Sequence, residues 1–78
     1  MEMTDLTARI DNYLTATVEI VKSLPLGDAT EVVVNTLGVM EIITDNLSEQ
    51  DGKEFVKWFN DVWKDKLYGA AGIEGILQ

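Results

Sequence analysis

The sequence predicts an all-α protein: a three-helix bundle, or a helical hairpin with a third helix, followed by a short C-terminal arm or helix. Apolar residues recur at helical spacing over three separate stretches. Proline, glycine and serine interrupt the pattern between these stretches, and sustained strand-like alternation is missing. The chain has 78 residues, which is enough for a single helical domain, residues 1–78.

The first helix is predicted over about 5–24. Its apolar side spans an arc of about 120° and the remaining surface is polar. Thr4 is a candidate N-cap, and Asp5 lies in the first turn, where a negative charge favours the helix dipole. Pro25 and Gly27 end the segment because proline disfavours helix at the residue before it. The apolar side consists of Leu6, Ile10, Tyr13, Leu14, Thr17, Ile20, Val21 and Leu24.

The second helix is predicted over about 29–47. Asp28, with Glu31 three residues later, resembles a capping box and predicts the start. Residues 32–34 are all valine, which favours a strand by propensity. The longer helical period of the segment outweighs that preference. Gly38 lies mid-helix, where we expect it to allow the close approach of another chain.

The third helix is predicted over about 49–68, starting after Ser48 and ending at Gly69. Apolar side chains cover nearly half of its circumference. The tail, residues 69–78, is predicted either as a short helix or as an arm, docked on its own chain or on a copy. The apolar residues of this third helix are Phe55, Val56, Trp58, Phe59, Val62, Trp63 and Leu67, and those of the tail are Ile73, Ile76 and Leu77.

Composition disfavours catalysis and cofactor binding. The chain has no cysteine and no histidine, so disulfides, thiolate zinc sites and histidine bases are excluded. The acidic residues lack the Glu-x-x-Glu spacing of helical pyrophosphohydrolases, and residues 49–52 do not fit a calcium loop. We therefore expect no enzyme activity, no metal site and no cofactor.

Charge is distributed unevenly. The net charge is −8, and residues 1–51 carry all of the excess, with ten acids against Arg9 and Lys22. Such a field repels nucleic acids and anionic membranes and favours a basic protein surface. The alternative is that the charge only keeps the chain in solution. No stretch reaches the length of a membrane span and the acidic N-terminus is unlike a signal peptide, so we expect a cytoplasmic protein.

Two candidate interfaces follow from the helical pattern. The first lies on the second helix, where Val34 and Ile42 fall among Glu31, Glu41 and Asp45. Apolar residues surrounded by carboxylates suit a partner whose basic surface presents a protruding apolar side chain. The second lies on the third helix, because three wide apolar arcs exceed what one small core can cover. We expect its aromatic face to form a homo-oligomer interface, comprising Trp58, Phe59, Val62 and Trp63.

The leading hypothesis is therefore a small acidic protein-binding module that modulates or inhibits a larger protein. A sharper version is a nucleic-acid mimic whose carboxylates occupy a site meant for phosphates. In size, acidity and lack of catalytic groups the chain resembles accessory proteins of phages and mobile elements. Two alternatives remain: a structural or assembly protein, whose function is oligomerisation itself, and a small-ligand binder with a subunit-interface pocket lined by Trp58, Trp63 and Tyr13.

Overall fold

A computed structural model describes residues 3–72, which form three helices and no strand. Helix α1 is Met3–Lys22 and helix α2 is Leu26–Asp45. The third helix, α3, runs through three consecutive segments: α-helical Glu49–Phe59, π-helical Asn60–Lys64 and α-helical Asp65–Ala71. The predicted all-α class is confirmed for these residues.

Helices α1 and α2 both begin two to three residues before the starts that the sequence predicts, at Met3 and Leu26. Thr4 lies inside α1 and therefore does not cap it. The capping box predicted at Asp28 is wrong, because Pro25 occupies the N-cap position in an extended conformation (φ −59°, ψ 155°). The carbonyl of Pro25 accepts a hydrogen bond from the amide of Ala29 at 2.8 Å, so the helix begins at Leu26. Asp28 instead lies in the first turn, where its charge still favours the dipole.

The start of α3 is confirmed at Ser48. The Ser48 hydroxyl oxygen accepts a hydrogen bond from the backbone amide of Asp51 at 3.2 Å. One residue further on, Gly52 is buried against the last turn of α2. A Cβ atom at Gly52 would lie 3.4 Å from both Cγ2 and the carbonyl oxygen of Thr44. The glycine thus lets the first turn of α3 approach the end of α2 closely.

The π-helical segment keeps one row of α3 in the core. The buried residues from Phe55 onward are spaced four apart: Phe55, Phe59, Trp63, Leu67 and Ala71. In a regular α-helix each four-residue step overshoots a full turn by about 40°, so such a row drifts toward solvent. A π turn contains more residues and rotates less per residue, which offsets part of the drift. Residues on both sides of the segment therefore face α1 and α2.

The end of α3 lies beyond the predicted stop. Gly69 is helical, and the helix continues to Ala71 because Leu67 and Ala71 are both buried. Gly72 is the C-cap, with φ of 74° in the left-handed region that glycine adopts without strain. The remainder of the predicted tail, including Ile73, Ile76 and Leu77, lies outside the described residues.

Buried threonines meet their hydrogen-bonding needs locally. Thr17 and Thr36 are buried and Thr44 is half-buried. Each hydroxyl donates to the carbonyl oxygen four residues earlier, at 2.8 Å. The core can therefore include these polar residues without leaving an unsatisfied donor.

We expect the Ser48→Ala substitution to lower the free energy of unfolding by about 1 kcal/mol, because it removes the N-cap acceptor of α3. Ser23→Ala is the matched control. The Ser23 hydroxyl makes an exposed bond to the Ile20 carbonyl at the end of α1, and its loss should change stability by less than about 0.5 kcal/mol. Urea unfolding followed by circular dichroism measures both. Equal stability of the two variants would contradict the capping role.

Candidate partner-binding face

Helix α2 is apolar on its inner and outer sides. Its inner side buries Ala29, Val33, Thr36 and Met40. Of the eight large hydrophobic residues that are exposed among residues 3–72, four also lie on α2: Leu26, Val34, Val39 and Ile42. More of the surplus apolar surface that the sequence predicts therefore lies on this helix than on α3, which has Val56 and Val62 exposed.

Val34, Gly38 and Ile42 form a row along the outward side of α2, because residues four apart are neighbours on a helix surface. Val34 is 60% exposed and Ile42 is 63% exposed, the highest values among the described large hydrophobic residues. Successive members of the row are separated by about 6 Å along the axis. We call the surface formed by this row and its acidic neighbours the α2 outer face: Glu31, Val34, Gly38, Glu41, Ile42 and Asp45.

The carboxylates that border this row form no ion pair within residues 3–72. Glu31, Glu41 and Asp45 are all exposed. The three ion pairs within residues 3–72 lie elsewhere, between Lys22 and Glu19, Lys53 and Glu49, and Lys57 and Asp61. No lysine or arginine occurs between Lys22 and Lys53. The negative potential of the α2 outer face is thus uncompensated by its own helix. All five residues predicted for partner binding lie on this face, and their binding role stays a prediction.

Gly38 has no structural explanation within the described fold. A Cβ atom at this position would meet no other atom within 4 Å. Its backbone is α-helical, and Gly72 is the one described glycine with a positive φ. Glycine in a helix interior costs about 1 kcal/mol relative to alanine. Neither packing nor backbone conformation within residues 3–72 therefore requires the missing side chain.

The fold buries two of the four residues of the predicted aromatic interface on α3 and leaves the other two accessible. Phe59 is 6% exposed and Trp63 is 8% exposed, because both belong to the row that packs against α1 and α2. Trp58 is half-buried and contacts Phe55, with ring centroids 5.7 Å apart. Val62 remains 38% exposed. One chain therefore offers Trp58 and Val62 to a partner copy, whereas Phe59 and Trp63 are already occupied in its own core.

Trp63 is held by a contact that the sequence does not predict. Its indole Nε1–H donates a hydrogen bond to Oδ1 of Asp11 on α1 at 2.6 Å. The ammonium group of Lys66 lies 5.2 Å from the centroid of the Trp63 ring. The helical pattern assigns Asp11 to the polar side of α1. A buried tryptophan needs an acceptor for its N–H, but helical periodicity alone does not reveal which acidic residue supplies it.

A groove with a volume of about 590 Å³ lies between the end of α2 and the start of α3. A neighbouring groove of about 240 Å³ shares Thr44, Val56 and Asn60 with it. Two ion pairs border the larger groove, Lys53 with Glu49 at 3.5 Å and Lys57 with Asp61 at 2.6 Å. The hydrogen bond to Asp61, and then its charge, raise the pKa of Lys57 above its ordinary value. The charges at this groove are therefore matched, unlike those of the α2 outer face.

The residues of the expected ligand pocket, Trp58, Trp63 and Tyr13, do not share any of the four cavities described for residues 3–72. None of the three lines the α2–α3 groove. Trp63 borders a separate cavity of about 450 Å³ together with Val18, Lys22, Lys66, Gly69 and Ala70. Tyr13 is exposed on α1, outside the lining of that cavity. The subunit-interface pocket stays a prediction.

Residues 3–72 contain neither a metal-binding cluster of acidic side chains nor an orphaned buried side-chain polar atom. In residues 3–72, no three acidic side chains are arranged to hold a metal ion. Every buried side-chain nitrogen and oxygen atom in this part of the chain has a hydrogen-bond partner. None of the described helices combines the length and apolar character needed to cross a membrane.

The chain matches no protein-family model, no curated protein and no solved structure with which it was compared.

We expect Asp11→Ala to lower the free energy of unfolding by about 1–3 kcal/mol, because it leaves the indole N–H of a buried tryptophan without an acceptor. Asp11→Asn keeps a side-chain oxygen as an acceptor and should lower the free energy of unfolding by less. Asn12→Ala, at the next exposed position of α1, is the control and should have little effect. Thermal unfolding measures the series, at roughly 4–8 °C per kcal/mol for a domain of this size. A melting temperature shared by Asp11→Ala and Asn12→Ala would contradict the role of Asp11.

Proposed function

We propose that this chain is a protein-binding module that engages a basic protein surface through the α2 outer face. One observation carries the proposal: the two most exposed large hydrophobic residues described, Val34 and Ile42, lie in one row among three carboxylates that form no ion pair within residues 3–72. Apolar contact supplies affinity, and the surrounding carboxylates select a partner of opposite charge.

A basic partner explains this face better than a second copy of it. Two copies meeting through their α2 outer faces would bring the carboxylates of Glu31, Glu41 and Asp45 from both chains together. Like charges placed against each other across an interface cost several kcal/mol. A surface rich in lysine or arginine instead gains from each of these groups and associates faster at low ionic strength.

Binding of this kind modulates or inhibits the partner by covering part of its surface. A basic site that normally receives phosphates is one natural target, since carboxylates can occupy the positions of the phosphate charges. In this form the chain acts as a nucleic-acid mimic and does not itself bind nucleic acid. A cytoplasmic location and a setting among phage or mobile-element proteins belong to the same proposal.

Homo-oligomerisation through α3 is the second candidate. Its support is the exposure of Val62 on α3, together with half-buried Trp58. This surface is smaller than the sequence predicts because Phe59 and Trp63 are buried. The two candidates use different helices and can therefore be tested separately.

Reversing the three charges of the α2 outer face, in the variant Glu31→Lys, Glu41→Lys, Asp45→Lys, should release the bound partner. The chain is immobilised and exposed to a lysate of its native host, and retained proteins are identified by mass spectrometry. Those that depend on the α2 outer face should disappear with this variant and weaken as salt rises. The matched control, Asp5→Lys, Glu54→Lys, Asp65→Lys, changes the net charge equally at exposed positions off this face and should retain them. Identical retention by both variants would contradict the proposal.

The oligomer candidate predicts a dimer or larger assembly of the wild-type chain in size-exclusion chromatography with light scattering. The variant Val62→Glu should then be monomeric, because the change places a charge in the apolar contact. The charge reversals on α2 should leave the assembly intact. A wild-type chain that stays monomeric up to near-millimolar concentration removes this candidate.

A further inference from the structure

We infer that the element of the partner that docks on the α2 outer face is a basic amphipathic helix that crosses α2 at Gly38. The inference rests on the proposed function and specifies the structure and chemistry of the partner. Three features of the described residues carry it: the unexplained glycine, the two apolar side chains on either side of it, and the unpaired carboxylates around them.

Gly38 marks the place where another backbone can approach most closely. It lies one turn after Val34 and one turn before Ile42, so the row has an apolar ridge, a gap and a second apolar ridge. No atom of the described fold enters the space that a Cβ would take at Gly38. Gly52 is the contrast, because Thr44 of its own chain fills the corresponding space there. Neither the backbone conformation nor the packing within the chain requires glycine at position 38. Contact with another molecule at this position accounts for it.

A helix is the element that fits this surface. The backbone N–H and C=O groups in the middle of α2 are already paired within the helix, so α2 cannot pair with an added strand. An approaching helix satisfies its own backbone and contacts α2 through side chains alone. A small residue at the crossing point allows two helices to pack at the short end of the usual distance of about 8–10 Å between axes.

The carboxylates define the chemistry of that helix. Glu31 lies three residues before Val34, Asp45 lies three residues after Ile42, and Glu41 adjoins Ile42. Acidic groups therefore border the apolar row at both ends and along one edge. A complementary helix carries a small residue over Gly38, apolar residues beside Val34 and Ile42, and lysine or arginine at the margins.

The probe is a synthetic amphipathic helix of about five turns, built from lysine, leucine and alanine and labelled with a fluorophore. A peptide of the same composition in scrambled order, which lacks an apolar stripe, is its control. Fluorescence anisotropy gives the affinity of each peptide for the full chain. Amide chemical shifts of the isotope-labelled chain locate the contact. We expect shift changes centred on Gly38 and at least tenfold weaker binding of the scrambled peptide.

Gly38→Ala should change stability and binding in opposite directions. The substitution raises the melting temperature, because alanine favours the helix and meets no atom of its own chain. The same methyl group pushes the two helices apart and should lower the affinity for the amphipathic peptide roughly three- to tenfold. Gly27→Ala is the matched control. Gly27 also has free space around its Cβ position but lies in the first turn of α2, so its substitution should leave peptide affinity unchanged.

The outcomes separate this inference from the proposed function. If the triple charge reversal on α2 releases the peptide but Gly38→Ala does not, the acidic face binds without a close helix crossing and the inference is overturned alone. If neither variant weakens the peptide, both proposals are overturned. Equal binding of the scrambled peptide, no binding by the wild-type chain, shift changes centred on the α2–α3 groove, or destabilisation by Gly38→Ala would each overturn the helix crossing.

Discussion

The structure depends on one row of side chains on α3 that stays in contact with the other two helices along the length of the row. Phe55, Phe59, Trp63, Leu67 and Ala71 hold this position although their spacing should carry a regular helix away from the core. The π-helical turn at Asn60–Lys64 offsets part of the drift. Within that turn, the bond from Trp63 to Asp11 ties α3 to α1 at 2.6 Å.

This packing decides where apolar surface is left over. The core absorbs Phe59 and Trp63, so α3 keeps little of the aromatic face that its sequence displays. Helix α2 needs one side for the core, yet its sequence is apolar on both. The unused valine and isoleucine side chains therefore remain in solvent, in the stretch of chain that contains no lysine or arginine. These exposed apolar residues lie in a region of negative electrostatic potential, and this combination is the basis of the proposed binding role.

Three glycines of this chain differ in their structural roles. Gly52 allows two helices of one chain to approach, and Gly72 ends α3 with a left-handed backbone. Gly38 does neither. All three occur in or next to helical patterns in the sequence, and a sequence cannot distinguish them because the distinction lies in what surrounds each Cα. The Cβ position of Gly52 lies 3.4 Å from Thr44 of another helix, whereas that of Gly38 has no atom of the described residues within 4 Å.

By itself, the sequence determined the three helices, the capping of α3 by Ser48, the acidic character of the first two-thirds of the chain, and the set of residues on the outward side of α2. These follow from local periodicity and charge. Tertiary structure alone decided the π-helical turn, the pairing of Trp63 with Asp11, the burial of Phe59 and the emptiness around Gly38. Each of these depends on which helix surfaces meet, and contacts between residues as distant as Asp11 and Trp63 leave no periodic trace along the chain.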